Sequence, residues 1–220
     1  MSQRNRYYEG LFVTLEGGDG CGKSTLATHL RDELEKGGYQ VVRTREPGGT
    51  PLAEHIRNLL LSDDPQMPIG DHAELLLFLA ARAQHIQEVI LPGLRNKKIV
   101  ICERFNDSTI AYQGFARHMG HRSVEEMCAL ACDHLVPDCT FFLDLDPALG
   151  LKRISKETSF DRLEQENLQF HKEVRQAFLH LADQHSERMI VLDASQSPDQ
   201  LAGQAMDALR SYLTFKSKAS

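Results

Sequence analysis

A glycine-rich segment near the start of the chain could bind the phosphates of a nucleotide. Its first eight residues, Gly-Gly-Asp-Gly-Cys-Gly-Lys-Ser, fit the pattern G-x-x-x-x-G-K-[ST]. Glycines let the backbone curl until several N–H groups point inward, and the start of a following helix adds partial positive charge. Lys23 is expected to reach the β- and γ-phosphates, and Ser24 to coordinate Mg²⁺ through its hydroxyl. The predicted triphosphate site consists of Gly17, Gly18, Asp19, Gly20, Cys21, Gly22, Lys23, Ser24 and Thr25.

Several classes of nucleotide-binding protein share this loop, so other segments must separate them. GTPases usually carry a guanine-reading Asn-Lys-x-Asp motif, and the segment Asn96-Lys97-Lys98-Ile99 begins like it but lacks the aspartate. A GTP-dependent switch is therefore the weaker alternative. A glycine-rich turn that only packs is also disfavoured, because the loop lies between a predicted strand and a predicted helix.

The elements that must position this loop alternate between strands and helices. Short apolar runs predict five buried strands, over residues 11–16, 40–45, 99–103, 140–145 and 189–193. Apolar spacing and helix terminators predict helices from residue 23 to the glycine pair at 37–38 and over residues 52–61, 73–91 and 198–213. This alternation predicts an α/β fold, a doubly wound five-stranded parallel sheet flanked by helices, with ligands beyond the carboxyl ends of the strands. A length of 220 residues suits one domain over residues 1–220.

Composition favours a small anionic partner. The net charge of −6 offers no basic surface to nucleic acid or to an acidic membrane. The first nine residues are polar and no segment has about 18 consecutive apolar residues, so we expect a cytoplasmic protein. The five cysteines form no disulfide framework, and Cys128, Cys132, His134 and Cys139 lack the C-x-x-C spacing of structural zinc sites, so Mg²⁺ is the only metal expected.

Three further segments carry a family resemblance. They read Arg-Glu-Pro-Gly-Gly-Thr at 45–50, Phe-Leu-Ala-Ala-Arg at 78–82 and Glu-Arg-Phe-Asn-Asp-Ser-Thr-Ile-Ala-Tyr-Gln-Gly at 103–114. With the phosphate loop, this combination resembles bacterial thymidylate kinase, a P-loop nucleoside monophosphate kinase, from about residue 11 to residue 193. The resemblance implies ATP as donor, dTMP as acceptor, Mg²⁺ and a homodimer. The rival interpretations are another nucleotide or deoxynucleoside kinase and the nucleotide-dependent switch.

By resemblance, a separate set of side chains binds the acceptor. Phe78 would stack on thymine and Arg82, one helical turn on, would donate to the base, although Phe78 could instead be ordinary helix core. Thr109 and Tyr112 would face the nucleoside together, with Tyr112 favouring deoxyribose. The full predicted set is Glu46, Pro47, Arg57, Phe78, Arg82, Arg104, Ser108, Thr109, Tyr112 and Gln113.

Arg104 directly follows a buried strand and should project at the carboxyl edge of the sheet. The resemblance places there the family's arginine that contacts the acceptor phosphate and the transferring group, so Arg104 is the first candidate for the catalytic cation. By resemblance, Arg57 would also hold the acceptor phosphate, with a surface ion pair as its alternative role. Glu103 stands where the family usually has Asp, and a carboxylate there can hold a water bound to Mg²⁺ or orient Arg104. Its extra C–C bond leaves direct metal ligation open. The candidate metal residues are Ser24, Asp19 and Glu103. Asp19 is also a catalytic candidate by resemblance; it could approach the acceptor sugar instead of the metal, or serve only as a turn former.

The phosphate loop contains no arginine, whereas the family's bacterial type supplies arginines from a mobile lid. The lid is expected over about residues 153–162, and it is poorer in arginine than is usual. Arg153, Lys156 and Arg162 are the candidates for its catalytic charge, and Lys156 lacks the planar fork of an arginine. A solvated helix surface is the alternative interpretation of this segment.

Overall fold

The apolar runs of the sequence form a central parallel sheet. The computed structural model describes residues 8–155 and 161–217, with side chains as far as residue 213. Within these ranges the strand order is β2-β3-β1-β4-β5, and every neighbouring pair is parallel. The strands are β1 (Leu11–Glu16), β2 (Val41–Arg45), β3 (Ile99–Glu103), β4 (Cys139–Asp144) and β5 (Met189–Asp193). The predicted five-stranded parallel sheet is confirmed.

Helices connect the strands and cover both faces of the sheet. In the described ranges they are α1 (Lys23–Lys36), α2 (Pro51–Leu61), α3 (Asp71–His85), α4 (Leu91–Arg95), α5 (Asn106–Thr109), α6 (His121–Ala131), α7 (Pro147–Ile154), α8 (Leu168–Gln184) and α9 (Pro198–Ser217). Two π-helical turns, Ile86–Ile90 and Ile110–Ala116, follow α3 and α5.

The single helix predicted over residues 73–91 is wrong in its bounds. It begins at Asp71 and passes through the π turn at Ile86–Ile90 into α4. Pro92 has no N–H, and its ring crowds the carbonyl four residues earlier, so an α-helical ladder cannot continue through it unchanged. The widened turn just before Pro92 accommodates this break.

The central strand β1 is buried on both faces. Leu11, Val13 and Leu15 belong to one core cluster with residues of α1 and α9. Phe12 points the other way and meets the ring of Phe105 edge-on, with the ring centroids 5.1 Å apart. A strand covered on both faces needs an uninterrupted apolar sequence, which is the pattern that identified it. Along the described residues, no helix combines the length and apolar character needed to span a bilayer.

Candidate functional site

Two neighbouring strands deliver the candidate residues to one edge of the sheet. The phosphate loop follows β1 and Arg104 follows β3, and Leu15 and Glu103 are partners in the register of these strands. The N–H of Arg104 donates to the carbonyl of Leu15 at 2.9 Å, and Arg104 adopts the left-handed conformation with φ of 65°. This uncommon backbone turn carries the chain out of the strand, and the guanidinium reaches the loop after β1.

The phosphate loop borders a cleft of about 510 Å³. Lys23 Nζ lies in the loop and donates to the carbonyls of Gly17 at 3.1 Å and Gly18 at 2.7 Å. The lining residues are Asp19, Gly20, Cys21, Gly22, Lys23, Ser24, Thr25, Leu26, Arg45, Glu46, Arg57, Glu103, Arg104, Arg153, Ile154, Glu164, Ala194, Gln196, Pro198 and Leu201. Of the nine predicted loop residues, Gly17 and Gly18 lie outside this lining.

Helix α7 packs against the phosphate loop through two glycines. A Cβ atom on Gly150 would lie 2.2 Å from the carbonyl oxygen of Asp19, and one on Gly20 would lie 2.3 Å from that of Gly150. Only residues without a side chain permit this approach, and Gly20 also has a positive φ of 69°. The contact brings Arg153 to the cleft, where its Nη1 donates to the Gly20 carbonyl at 3.2 Å.

Arg104, Asp19 and Tyr112 form a connected group. Arg104 Nη2 donates to Asp19 Oδ1 at 2.5 Å, and the Tyr112 hydroxyl donates to Asp19 Oδ2 at 3.2 Å. Burial by itself raises the pKa of Asp19, but Arg104 and Lys23 together with weaker contacts outweigh it and hold the pKa below its ordinary value. Burial raises the pKa of Tyr112, so its hydroxyl keeps its proton as a donor.

A second pocket of about 130 Å³ adjoins the first. It is lined by all ten residues predicted for the acceptor, Glu46, Pro47, Arg57, Phe78, Arg82, Arg104, Ser108, Thr109, Tyr112 and Gln113. The sequence prediction missed Leu61, Asp161, Leu163 and Glu164 in this lining. These four lie at the end of α2 and in the segment before α8, where no motif marks them.

Arg82 is buried, with 2% of its surface exposed. Its Nε donates to Glu46 Oε2 at 2.6 Å and its Nη2 to Thr109 Oγ1 at 2.9 Å. His85, which the sequence analysis did not single out, extends this hydrogen-bonded series. Its ring nitrogens contact Glu46 Oε1 at 2.9 Å and Thr44 Oγ1 at 2.6 Å.

Glu46, His85 and Cys102 also bring possible metal-ligating atoms within 4.8 Å of one another. Both nitrogens of His85 and both oxygens of Glu46 already have hydrogen-bond partners in the protein. We therefore interpret this group as a buried hydrogen-bonded chain that holds Arg82 at the pocket.

Three cations at the pockets donate to backbone carbonyl groups. Arg57 Nη1 donates to the Pro47 carbonyl at 2.9 Å, and Lys23 and Arg153 likewise donate to carbonyl groups. Within residues 8–155 and 161–217, none of the three forms an ion pair within 4.0 Å. Burial and the nearby Arg45 lower the pKa of Arg57. Cations that form no close ion pair attract anions to the cleft, although the chain's net charge is −6.

Two of the three candidate metal residues lie together. Ser24 Oγ donates to Glu103 Oε2 at 2.5 Å beside the phosphate loop. Glu103 Oε1 accepts from Arg43 Nη2 at 2.9 Å, a contact that the sequence analysis did not anticipate. Asp19 is instead held by Arg104.

The predicted lid residues take different positions. Arg153 lines the larger cleft, Lys156 falls outside the described residues, and Arg162 belongs to neither pocket lining. Arg162 Nε donates to the Leu60 carbonyl at 3.0 Å, and its Nη2 lies 2.6 Å from Glu74 Oε2. Glu74, which the sequence analysis missed, is fully buried and also accepts from Gln113 at 2.7 Å.

Comparisons with known proteins agree on one family. The family model described as thymidylate kinase matches residues 15–204. The thymidylate kinase of Protochlamydia amoebophila (strain UWE25) is 48% identical over 209 residues, covering 92% of this chain and 93% of that protein. That of Chlamydia muridarum (strain MoPn / Nigg) is 43% identical over 205 residues, covering 92% and 100%. The crystal structure of thymidylate kinase from Ehrlichia chaffeensis is similar with a TM-score of 0.75 at 33% identity, covering 91% of this chain and 98% of that chain.

Proposed function

The chain belongs to the thymidylate kinase family, and we propose that the larger cleft holds ATP while the smaller pocket holds dTMP. The γ-phosphoryl group then moves in line to the dTMP phosphate, giving dTDP and ADP on the way to dTTP. One observation carries this assignment: five residues line both pockets, so a donor in one would adjoin an acceptor in the other. The shared residues are Asp19, Glu46, Arg57, Arg104 and Glu164.

Positioning and charge neutralisation supply the rate, and no covalent enzyme intermediate is needed. Lys23 contacts the donor phosphates, and Arg153 adds charge from the side of α7. Arg104 lies between the pockets, where it stabilises charge on the transferring group. The support for these roles is that Lys23 and Arg153 donate to carbonyl groups, and Lys23 also to Cys21 Sγ, in contacts that a phosphate can replace.

The acceptor pocket offers one group for each part of dTMP. Arg57 holds the phosphate, Phe78 stacks on thymine and Arg82 donates to the base. Tyr112 and Gln113 lie by the sugar. The hydroxyl of Tyr112 is already committed to Asp19, and we propose that this fixed ring leaves less room for a ribose 2′-hydroxyl.

The residues present fit Mg²⁺. Ser24 and Glu103 bring a hydroxyl and a carboxylate oxygen within 2.5 Å of each other beside Lys23, and Mg²⁺ prefers oxygen ligands. Ser24 and Glu103 would hold the ion. When bound, Mg²⁺ neutralises charge on the phosphate oxygens.

We also propose that the protein is a cytoplasmic homodimer. Each chain would form one domain over residues 1–220, with a lid at about residues 153–162 that includes Lys156. Apolar side chains on two packed helices support the dimer: Leu76 of α3 is 56% exposed and Leu130 of α6 is 78% exposed. Contact with a second copy of the chain would bury these two side chains. Light scattering should give twice the mass of the chain, and a monomer would contradict the dimer.

One assay separates this proposal from its rivals. ADP formation is followed with MgATP and dTMP, dUMP, UMP, dCMP, AMP or thymidine supplied separately. We expect a clear preference for dTMP. A preference for thymidine would indicate a deoxynucleoside kinase, and no turnover with any acceptor would favour a nucleotide-dependent switch.

A further inference from the structure

The carboxylate of Glu103 is held by an arginine outside both pocket linings. Arg43 of β2 donates to Glu103 Oε1 from Nη2 at 2.9 Å and from Nε at 3.2 Å. The same guanidinium donates from Nη1 to Thr28 Oγ1 at 2.9 Å and from Nη2 to the Ser24 carbonyl at 3.2 Å. Arg43 thus ties the end of β3 to the first two turns of α1.

The two carboxylate oxygens of Glu103 have different hydrogen-bond partners. Oε1 accepts from Nε and Nη2 of Arg43, whereas Oε2 accepts from the hydroxyl of Ser24 at 2.5 Å. A glutamate has one more rotatable bond than an aspartate, so its carboxylate can swing unless it is held. The planar fork of arginine suits this task better than the single ammonium of lysine.

We propose that Arg43 is a positioning residue of the metal site, which fixes Glu103 so that Oε2 faces Ser24. The inference rests on the proposed function, since it requires that Ser24 and Glu103 hold the Mg²⁺ of the nucleotide complex. Partners that orient metal ligands commonly change metal affinity by about 10- to 100-fold when they are removed.

A purely electrostatic effect of Arg43 would have the opposite sign. A positive charge near the site repels Mg²⁺, so its removal by itself strengthens metal binding. Arg43→Met removes the charge and the fork, whereas Arg43→Lys keeps the charge and loses the fork. Loss of positioning weakens Mg²⁺ binding in both variants, but loss of repulsion strengthens it in Arg43→Met alone.

The test is calorimetric titration of ADP into the protein at a series of Mg²⁺ concentrations, with no acceptor present. We expect Arg43→Met and Arg43→Lys each to raise the half-saturating Mg²⁺ concentration by about 10-fold. In a Glu103→Asp background, the side chain has one rotatable bond fewer and depends less on Arg43 for its orientation. Arg43→Met should then change the half-saturating Mg²⁺ concentration by less than about twofold. Thermal unfolding shows whether each variant is folded. If Arg43→Met does not fold, the inference is tested with Arg43→Lys.

Two kinds of outcome would overturn the inference in distinguishable ways. If the affinity of the wild type for ADP does not depend on Mg²⁺ concentration, then the metal has no place in the proposed function, and this inference is overturned as well. A wild-type dependence on Mg²⁺ that neither Arg43 variant weakens would overturn this inference alone. An equal loss with Glu103 intact and in the Glu103→Asp background would also overturn this inference alone, because Arg43 would then act independently of the carboxylate's length.

Discussion

Arg104 and Asp19 form an ion pair, with 2.5 Å between Nη2 and Oδ1, that joins the loop after β3 to the loop after β1. Both residues line both pockets. The Arg104 guanidinium also lies over the ring of Tyr112, 5.1 Å from its centroid, and donates to the carbonyl of Gly17 at 3.1 Å. These contacts hold the Arg104 guanidinium between the two pockets, and the proposed role of this residue depends on such a fixed position.

Arg104→Ala should lower turnover far more than ATP binding. Removal of one preorganised donor to a developing charge typically costs about 10²- to 10³-fold in kcat. The Kd for ATP should change by less than about threefold, since Lys23 and the loop backbone remain. Steady-state ADP formation and ATP titration give the two quantities. Arg104→Lys keeps the charge without the planar fork, so its turnover should lie between those of the wild type and Arg104→Ala. Near-normal turnover of Arg104→Ala would remove Arg104 from the mechanism.

Arg57→Ala should weaken dTMP binding selectively. Arg57 forms no ion pair in the described part of the chain and donates to the Pro47 carbonyl at 2.9 Å, so its charge remains available to a phosphate. A hydrogen bond to a charged group contributes about 1.5–3 kcal/mol, which corresponds to about a 10- to 100-fold rise in the KM for dTMP. The exposed Arg122 of α6 gives the matched control, and Arg122→Ala should leave both KM values unchanged. Equal KM values for dTMP in the two variants would contradict the role of Arg57.

The strands were predictable because burial on both faces imposes a local signature. β1, β3 and β5 begin and end at the predicted residues, and β2 and β4 are displaced by one residue at one or both ends. The phosphate loop and the acceptor residues were predicted from short motifs, and the residues predicted for the acceptor line one pocket. The π turn at Ile110–Ala116 was not predicted, because a change from an α to a π hydrogen-bond pattern leaves no period in the sequence.

The partners of buried carboxylates were the main omission, because they are distant in sequence. Arg43 meets Glu103 across 60 positions, and Gln113 meets Glu74 across 39. Neither separation gives a periodic signal. A charged residue inside an apolar strand run, such as Arg43, is a clue that such a partner exists, but it does not identify the partner.

Stability should fall as pH rises because of Glu16. Its oxygens accept from the N–H of Phe105 at 2.7 Å and the hydroxyl of Ser108 at 2.5 Å. Burial, with a contribution from Asp107, raises its pKa from 4.5 to about 7. Between these values the folded chain holds a proton that the unfolded chain releases, so this stabilisation is present at low pH and is lost as pH rises through about 7.

Glu16→Gln should remove this dependence. Between pH 5 and pH 8, the wild-type free energy of unfolding should fall relative to that of the variant by on the order of 2–3 kcal/mol. Urea unfolding at the two pH values measures the difference. The exposed Glu125 provides the control, and Glu125→Gln should follow the wild type. Parallel pH profiles for wild type and Glu16→Gln would show that Glu16 titrates near its ordinary pKa.

Arg153 and Arg162 should have separable effects, although the sequence made both candidates for the lid's charge. Arg153 contacts the phosphate loop at Gly20, whereas Arg162 lies against the buried Glu74. Arg153→Ala should therefore lower kcat or ATP affinity by about 10-fold, as expected for loss of one charged hydrogen bond, with little change in stability. Arg162→Ala should instead lower the free energy of unfolding by about 1–3 kcal/mol, because Glu74 loses one of its compensating charges while Gln113 still donates to it.

Kinetics and urea unfolding on the same two variants decide between these roles. In a Glu74→Gln background the carboxylate charge is absent, so Arg162→Ala should cost less stability than it does in the wild type. Arg153→Ala lies outside this contact and should cost the same in both backgrounds. If Arg162→Ala instead lowered kcat about 10-fold with unchanged stability, then the arginine must leave Glu74 during turnover and reach the phosphates. That result would restore Arg162 as the lid's catalytic charge and reduce its contact with Glu74 to one state of the lid.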